Sequence, residues 1–323
     1  MSEIMRFSLY KSKITKYIFG IVLASFIIPM SNAQPPQNIN NFHTASWNSN
    51  GPRWFVVQTL MDLGLDVLAI QEAGSLNTIN DELSSLRTSI PICYSGLDIG
   101  QSFASDLGVN EYIWTRSGGE SFYIYYYNAD RNNPETAESS RTRSKQSMAI
   151  ISRQRADEII IFPNHIAGLP DNYDTQPESR RENRISINRP VLGIRIDNSV
   201  FFTMHPEPRR DTRPNSNIVR NESAMLISFI ESYMNSYHPT RTWMVMSDFN
   251  ATPEQLGNNL PTAGNGRFID ILNTGVNTRV SGELDYAVVG GPSVNQAAIN
   301  AIVASLLAMT VANPSDHKPV RFN

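Results

Sequence analysis

Cysteine is almost absent from this 323-residue chain, which contains one, Cys93. A single cysteine excludes an intrachain disulfide and any metal site built from several cysteines, and we expect Cys93 to be buried as a small apolar residue. With 41% hydrophobic and 18% charged residues, the composition excludes a disordered or collagen-like chain. The sequence therefore has enough apolar side chains for a sizeable core, in one large domain or two small ones.

Long apolar runs are also missing, except near the N-terminus. Basic residues there precede an uncharged apolar run over residues 17–28, which is too short to span a bilayer comfortably. Pro29 ends the run, and small residues up to Ala33 follow at the cleavage position. We therefore predict a signal peptide over residues 1–33, an exported domain over residues 34–323, located in the periplasm or outside the cell, and no stable membrane span. The alternative is a short N-terminal membrane anchor.

The chain has fewer basic than acidic residues, 27 against 30. The net charge is −3, and removal of residues 1–33, with four basic residues and one acidic residue, makes it −6. A protein of this charge has no long-range attraction for nucleic acid. Any contact with phosphate must come from a metal ion or from local groups of basic residues. The sequence offers four such groups: Arg141, Arg143 and Lys145; Arg153 and Arg155; Arg180, Arg181 and Arg184; and Arg209, Arg210 and Arg213.

Apolar runs bounded by Gly, Pro, Asn and Asp recur along the chain and predict strands, several of them buried on both faces. The predicted strands are residues 42–47, 67–71, 122–127, 148–152, 158–162, 190–196, 200–204, 243–247, 284–289 and 319–322. Apolar residues at helical spacing predict helices over residues 52–63, 215–236 and 295–309. Two long polar loops lie around residues 128–144 and 163–188. This pattern favours a layered α/β sandwich in one domain.

Polar side chains stand at the ends of these strands. Each alone is typical of a turn or a helix cap, but together they are the inventory of a divalent-metal phosphoesterase. Carboxylates suit Mg²⁺, histidines transfer protons near neutral pH, and asparagines donate to phosphate oxygens. Spacing typical of a zinc site is missing. The residues are Asn48, Glu72, His205, Asp248, Asn250, Asp285, Asp316 and His317.

A family resemblance rests on the order of these motifs. They include Trp47-Asn48, Gln71-Glu72-Ala73-Gly74, Ser247-Asp248-Phe249-Asn250, Leu284-Asp285-Tyr286 and Ser315-Asp316-His317. Over residues 40–323 the chain resembles the deoxyribonuclease I-like endonuclease/exonuclease/phosphatase superfamily and, more narrowly, the catalytic B subunits of cytolethal distending toxins. The resemblance implies a four-layer sandwich, with two packed mixed or antiparallel β-sheets flanked by helices.

The resemblance also implies a metal site. Glu72 would hold Mg²⁺ with help from Asn48, and Asp316 would complete the acidic shell. Mn²⁺ or Ca²⁺ would be able to substitute.

Catalytic and phosphate-binding roles follow from the same resemblance. Asp285 would orient His317, and the pair would activate water or handle its proton. His205 would protonate the leaving oxygen or stabilise the phosphate, while Asp248 and Asn250 would position metal, water and phosphate. The resemblance implies that Arg189 contacts phosphate or braces the site. The groups of basic residues add Arg141, Arg143, Arg153 and Arg155 as candidate phosphate contacts.

The leading hypothesis is a secreted Mg²⁺-dependent endonuclease, the active subunit of a genotoxin that acts with delivery subunits on DNA in the host nucleus. Two departures from the family concern Ser247, where glycine is usual, and the loop at residues 117–120, which lacks the family's arginine. A phosphoinositide phosphatase or phospholipid phosphodiesterase of the same superfamily is the second hypothesis. However, Tyr286 after Asp285 is nuclease-like, because inositol 5-phosphatases typically carry arginine there. The third hypothesis is a non-catalytic homologue.

Overall fold

Two β-sheets packed face to face make up most of the described structure. The computed structural model describes residues 38–79, 81–86, 92–94, 108–128, 147–162, 190–206, 222–307 and 315–323, with only the backbone at 92–94. In chain order the strands are β1 (Thr44–Asn48), β2 (Val67–Gln71), β3 (Glu82–Leu86), β4 (Ile92–Tyr94), β5 (Val109–Thr115), β6 (Ser121–Tyr127), β7 (Met148–Ser152), β8 (Glu158–Phe162), β9 (Val191–Ile196), β10 (Ser199–Thr203), β11 (Thr242–Asp248), β12 (Arg267–Leu272), β13 (Asp285–Pro292), β14 (Ala304–Leu306) and β15 (Val320–Phe322).

Sheet I has the strand order β14-β15-β1-β2-β7-β6-β5-β3, and sheet II has the order β12-β13-β11-β10-β9-β8-β4. The described helices are α1 (Trp54–Asp62), α2 (Glu222–Tyr237), α3 (Pro253–Gly257) and α4 (Gln296–Ile299), with 3₁₀ turns at Ile39–Asn41, Leu76–Thr78 and Ser293–Asn295. None of the helices in these ranges is long and apolar enough to cross a membrane.

Strand direction determines which residues meet at each end of the sheets. In sheet I, β1 and β2 are parallel, with Asn48 opposite Gln71. In sheet II, β10 and β11 are parallel, and β13 runs antiparallel to β11 with Asp285 opposite Asp248. One end of the sandwich, called here the upper edge, is therefore formed by the ends of β1, β2, β10 and β11 and the start of β13. The opposite edge is called the lower edge.

Three apolar clusters separate the layers. The central cluster lies between the sheets and joins residues such as Tyr125 and Ile150 of sheet I to Phe201 and Met244 of sheet II. A second cluster packs α1 on the outer face of sheet I, and a third packs α2 on the outer face of sheet II. Because both faces of the central strands are covered, β1, β2 and β11 are buried along their whole length. The predicted four-layer sandwich is confirmed.

The predicted helix over residues 295–309 is wrong. After a 3₁₀ turn the helix α4 ends at Ile299, and Ala304–Leu306 instead form strand β14. The strand pairs with β15, Ala304 opposite Phe322. Hydrogen bonding to an open sheet edge outweighs the helix propensity of this alanine- and leucine-rich segment. The first residues of the predicted helix 215–236 and most of the two predicted long loops lie outside the described residues.

Candidate active site

Six strand ends bring polar side chains together at the upper edge. The two sheets meet there directly, because Asn48 of sheet I donates through Nδ2 to Asp248 Oδ2 of sheet II at 2.9 Å. The converging side chains are Asn48 at the end of β1, Glu72 after β2, His205 after β10, Asp248 at the end of β11, Asp285 at the start of β13 and His317 before β15.

Asp248 lies at the centre of this group. Its Oδ2 is 3.4 Å from His205 Nε2 and 3.6 Å from His317 Nε2. Burial would raise the pKa of Asp248, but hydrogen bonding to His205, the charges of both imidazoles and the Asn48 amide hold it below its ordinary value. Asp248 therefore stays ionised between two histidines.

His317 and Asp285 form a buried pair in which Nδ1 lies 2.8 Å from Asp285 Oδ2. Burial and the nearby charge of Asp248 raise the pKa of Asp285 to about 6 despite the bond to His317. Burial lowers the pKa of His317, but the hydrogen bond and charge of Asp285 outweigh it and raise that pKa. A proton at Nδ1 leaves Nε2 as the basic atom that faces Asp248.

The backbone around His317 is fixed by hydrogen bonds to β1. Ser315 Oγ donates to the Asn48 carbonyl at 2.7 Å, and the His317 N–H donates to Ser315 Oγ at 3.1 Å. Trp47 Nε1 donates to the His317 carbonyl at 3.3 Å. The imidazole is therefore held in place by backbone contacts as well as by Asp285.

Glu72 reaches the same cleft from a strained turn. It has a left-handed φ of 52°, which is uncommon for glutamate and typical of functional turns. Gly74 also has a positive φ, and a Cβ there would lie 2.4 Å from the Pro52 nitrogen, so the close approach of the two loops requires glycine. Glu72 Oε1 lies 3.4 Å from Asn48 Nδ2 and 3.9 Å from His205 Nε2.

Two carboxylate oxygens in the cleft have no hydrogen-bond partner among the described residues. They are Glu72 Oε2 and Asp285 Oδ1, and both are buried. Ligand atoms of Asp248, Asp285 and His317 also lie within 4.8 Å of one another. An orphaned carboxylate oxygen is costly unless a cation or a donor satisfies it, so the cleft fits a divalent cation.

The other two residues predicted to hold the metal are placed differently. Asn48 points its amide nitrogen at the carboxylates, and its Oδ1 accepts from the Asn50 N–H at 3.0 Å, so it orients the carboxylates. Asp316 lies at the rim, where it accepts from Asn50 Nδ2 at 3.3 Å and pairs with Arg279 Nη2 at 2.7 Å. Asp316 thus sits outside the inner group of carboxylates.

Asn250 and Ser247 tie β11 to the His205 segment. The Asn250 N–H donates to Asp248 Oδ1 at 2.9 Å, and its Nδ2 donates to the Pro206 carbonyl at 2.9 Å. Ser247 Oγ donates to the Met204 carbonyl, next to His205. The serine that departs from the family pattern therefore fixes the position of one histidine.

The comparisons with known proteins agree with this fold. The chain is 28% identical over 305 residues to the Salmonella typhi homolog of CdtB, the B subunit of cytolethal distending toxin, covering 88% of this chain and 90% of that protein. The solved Haemophilus ducreyi cytolethal distending toxin matches with 29% identity and a TM-score of 0.61, over 88% of this chain and 98% of that chain.

The chain is a homologue of CdtB. A solved CdtB, described as the biologically active subunit of its toxin, matches with 25% identity and a TM-score of 0.60, over 88% of this chain and 97% of that chain. No protein-family model matches the sequence. The predicted family resemblance is confirmed.

Two of the arginines predicted to contact phosphate, Arg153 and Arg155, lie away from this site. Arg153 and Arg155 lie in the connection from β7 to β8, which crosses between the sheets at the lower edge. Arg153 donates to the carbonyls of Met61 and Leu65, and Arg155 binds buried Glu111 through two 2.9 Å bonds. Their contact with phosphate stays a prediction, and at the lower edge these side chains serve packing and ion pairing.

The hairpin at residues 117–120 is also at the lower edge, because Ser121 at the start of β6 lies opposite Thr115 at the end of β5. Arg141, Arg143, Arg189 and the side chain of Cys93 lie outside the described residues.

Three further residues, which no sequence motif indicated, also lie at the site. Arg53 donates through Nη1 to the Asn50 carbonyl at 2.7 Å, and burial lowers its pKa despite the charges of Asp316 and Glu72. Thr278 and Arg279 precede Asp285 in the loop from β12. The only sequence signal for them is their closeness to a motif residue.

Proposed function

We propose that this chain is a divalent-metal-dependent phosphodiesterase that nicks DNA as the active subunit of a toxin of the cytolethal distending type. Homology to CdtB over 88% of the chain supports this proposal. The observation that carries it is the arrangement of His205 Nε2 and His317 Nε2 around one oxygen of buried Asp248. Two imidazoles facing one cleft suit a reaction that removes one proton and supplies another.

In this proposal, water attacks the phosphorus of a phosphodiester. The His317 N–H at Nδ1 donates to Asp285, so Nε2 takes a proton from the water as its oxygen bonds to phosphorus. The opposite phosphorus–oxygen bond breaks, and His205 gives a proton to the leaving oxygen. Asn250 and Asn48 keep Asp248 and Glu72 in position during the reaction.

Mg²⁺ is the proposed cation, with Mn²⁺ or Ca²⁺ able to take its place. Glu72 would hold it through the orphaned Oε2, and the group formed by Asp248, Asp285 and His317 is a second arrangement that fits a cation. We favour Glu72, because a ligand role for Asp285 would compete with its bond to His317. When bound, such an ion neutralises charge on the phosphate oxygens.

The cellular setting is part of the same proposal. The segment over residues 1–33 would direct export, delivery subunits would carry the protein to a host cell, and the host nucleus would be the site of action. The solved homologue from Haemophilus ducreyi is described as a toxin, and the solved CdtB as one subunit of such a toxin, which supports partner subunits.

A plasmid assay tests the proposed reaction. Purified protein should convert supercoiled plasmid to open circles in Mg²⁺ and should stop doing so in EDTA. A parallel assay should measure phosphate release from phosphoinositides, since the same residues would serve a phosphatase. Release of phosphate without nicking would favour the phosphatase hypothesis, and inactivity in both assays would favour the non-catalytic one.

A further inference from the structure

A tight hairpin stands at the upper edge, in the loop from β12 to β13. Arg279 and Gly282 exchange two backbone hydrogen bonds, of 3.0 and 3.1 Å, so Val280 and Ser281 form a two-residue tip. Gly282 has a φ of 146°, which side-chain-bearing residues rarely adopt. The shape of the hairpin is therefore built into its sequence.

The base of the hairpin is anchored to the candidate active site. Buried Thr278 accepts through Oγ1 from the Leu284 and Asp285 N–H groups, at 3.0 and 3.1 Å. Its carbonyl accepts at 2.9 Å from the N–H of Lys318, the residue that follows His317. The hairpin thus has a fixed position relative to both members of the His317–Asp285 pair.

The tip presents an apolar group and a cation to solvent. Val280 is 99% exposed, and the Arg279 side chain is 38% exposed while it pairs with Asp316. Single exposed valines are ordinary on protein surfaces, and Val294 is also 89% exposed. However, Val294 follows the lower end of β13, whereas Val280 stands beside the cleft.

The charge of Arg279 suits the hairpin to an anionic ligand. Glu72, Asp248 and Asp285 make the cleft acidic, and Arg153 and Arg155 lie away from it. A polyanion that enters the cleft is therefore stabilised by a bound cation and by nearby basic groups. A guanidinium has five N–H donors, and Asp316 engages the Nη2 group of Arg279, so other donors remain for a phosphate.

We propose that this hairpin, Arg279–Gly282, binds duplex DNA beside the cleaved bond. Arg279 donates to a backbone phosphate next to the scissile one, and Val280 packs against sugars in the minor groove. Proteins that enter this groove commonly combine basic and apolar side chains. This inference rests on the proposed nuclease function and adds the element that holds the duplex.

Binding of a labelled 20-base-pair duplex, followed by fluorescence anisotropy between 50 and 200 mM salt, tests the hairpin without requiring cleavage. Arg279→Gln should weaken binding about tenfold and lower the salt slope by roughly one unit, as for one lost phosphate contact. Val280→Ser should weaken binding about threefold with the salt slope unchanged, since apolar contacts release no counterions. Arg116→Gln and Val294→Ser are matched controls at the lower edge and should bind like the wild type.

The outcomes separate this inference from the proposed function. Duplex binding that depends on Arg279 and Val280 supports the hairpin even if plasmid nicking is absent. If the wild type nicks plasmid but the Arg279 and Val280 variants bind the duplex as well as their lower-edge controls do, the proposed DNA contact of the hairpin is wrong. The proposed nuclease function then still stands. Loss of binding to another toxin component, with duplex binding intact, would also overturn it and make the hairpin a protein-docking element.

Discussion

The upper and lower edges of the two sheets both carry charged side chains, but the two edges differ in how those side chains are paired. At the lower edge, Arg195 binds Glu158 and Asp157 at 2.9 and 3.0 Å, and Arg153 is fully engaged by carbonyls and Glu120. At the upper edge, carboxylates face histidines and one another, and two buried oxygens have no described partner. The lower edge is a stabilising network, whereas the upper edge holds polar groups ready for a ligand.

This difference teaches that residue type alone does not locate a site. Arginines were predicted to contact phosphate because phosphate binding needs positive charge. Those described at the lower edge instead bind carboxylates and carbonyls of the protein itself. The carboxylates with an unpartnered oxygen, those of Glu72 and Asp285, mark the edge where an external cation can bind.

The histidines give the largest expected contrast. His317→Gln should lower the turnover number by about two to four orders of magnitude, because the general base beside Asp285 is lost. His238→Gln at the lower edge, where His238 contacts Tyr233 at 3.1 Å, should keep turnover and cost about 1 kcal/mol of stability. Plasmid nicking rates and urea unfolding of both proteins test this. Equal nicking rates for His317→Gln and His238→Gln would show that His317 is not the general base.

The acidic residues should separate metal use from folding. Glu72→Gln removes the carboxylate with the orphaned oxygen, and the Mg²⁺ concentration for half-maximal nicking should rise at least about 10–100-fold, the range for weaker perturbations of metal sites. Asp62→Asn, which removes a lower-edge partner of Arg116, is the control and should leave the Mg²⁺ requirement unchanged. An unaltered requirement in Glu72→Gln would remove Glu72 from the metal site.

Arg155 should matter for stability and not for DNA. Arg155→Gln leaves the buried Glu111 carboxylate without its two guanidinium bonds and should cost about 1–2 kcal/mol, reduced because Arg155 is partly exposed. Urea unfolding measures the loss. DNA affinity of the folded variant should match the wild type, and weaker DNA binding at unchanged stability would restore Arg155 to the substrate surface.

The smallest effect is expected at Glu120. Glu120→Arg replaces attraction to Arg116 and Arg153 with repulsion and should cost about 0.2–1 kcal/mol, as usual for surface pairs. The length of β2 alone separates the two edges by about 13 Å, more than the screening length of about 10 Å at 0.1 M salt. DNA affinity over a salt series should therefore change less than about twofold, and a clear gain would place the lower edge against DNA.

Sequence patterns predicted the buried strands well, because a continuous apolar run covered on both faces leaves few alternatives. The strands over Val67–Gln71, Met148–Ser152 and Glu158–Phe162 have the predicted bounds. Strand β3 (Glu82–Leu86) was missed because it is polar and largely unburied, and its structure depends on pairing with β5. An edge strand of this kind forms because it pairs with a neighbouring strand, and the local sequence pattern does not reveal that pairing.

The site could be predicted in composition but not in arrangement. Motif order identified the residues that the strand ends gather, while the partner of each side chain depends on how the two sheets pack. Asp316 illustrates this, because the family resemblance implied that it completes the acidic shell, while its pairing with Arg279 at the rim depends on packing. Thr278 and Arg279 have no motif of their own, so only the fold could reveal them.

A structure of the His317→Gln chain with a short DNA duplex tests the central claim most directly, since that claim is that substrate meets the upper edge. We expect a backbone phosphate within about 3 Å of His205 Nε2, in hydrogen-bond reach, with the duplex against the Arg279–Gly282 hairpin. A duplex seated at the lower edge against Arg153 and Arg155, with the cleft around Asp248 empty of phosphate, would contradict it.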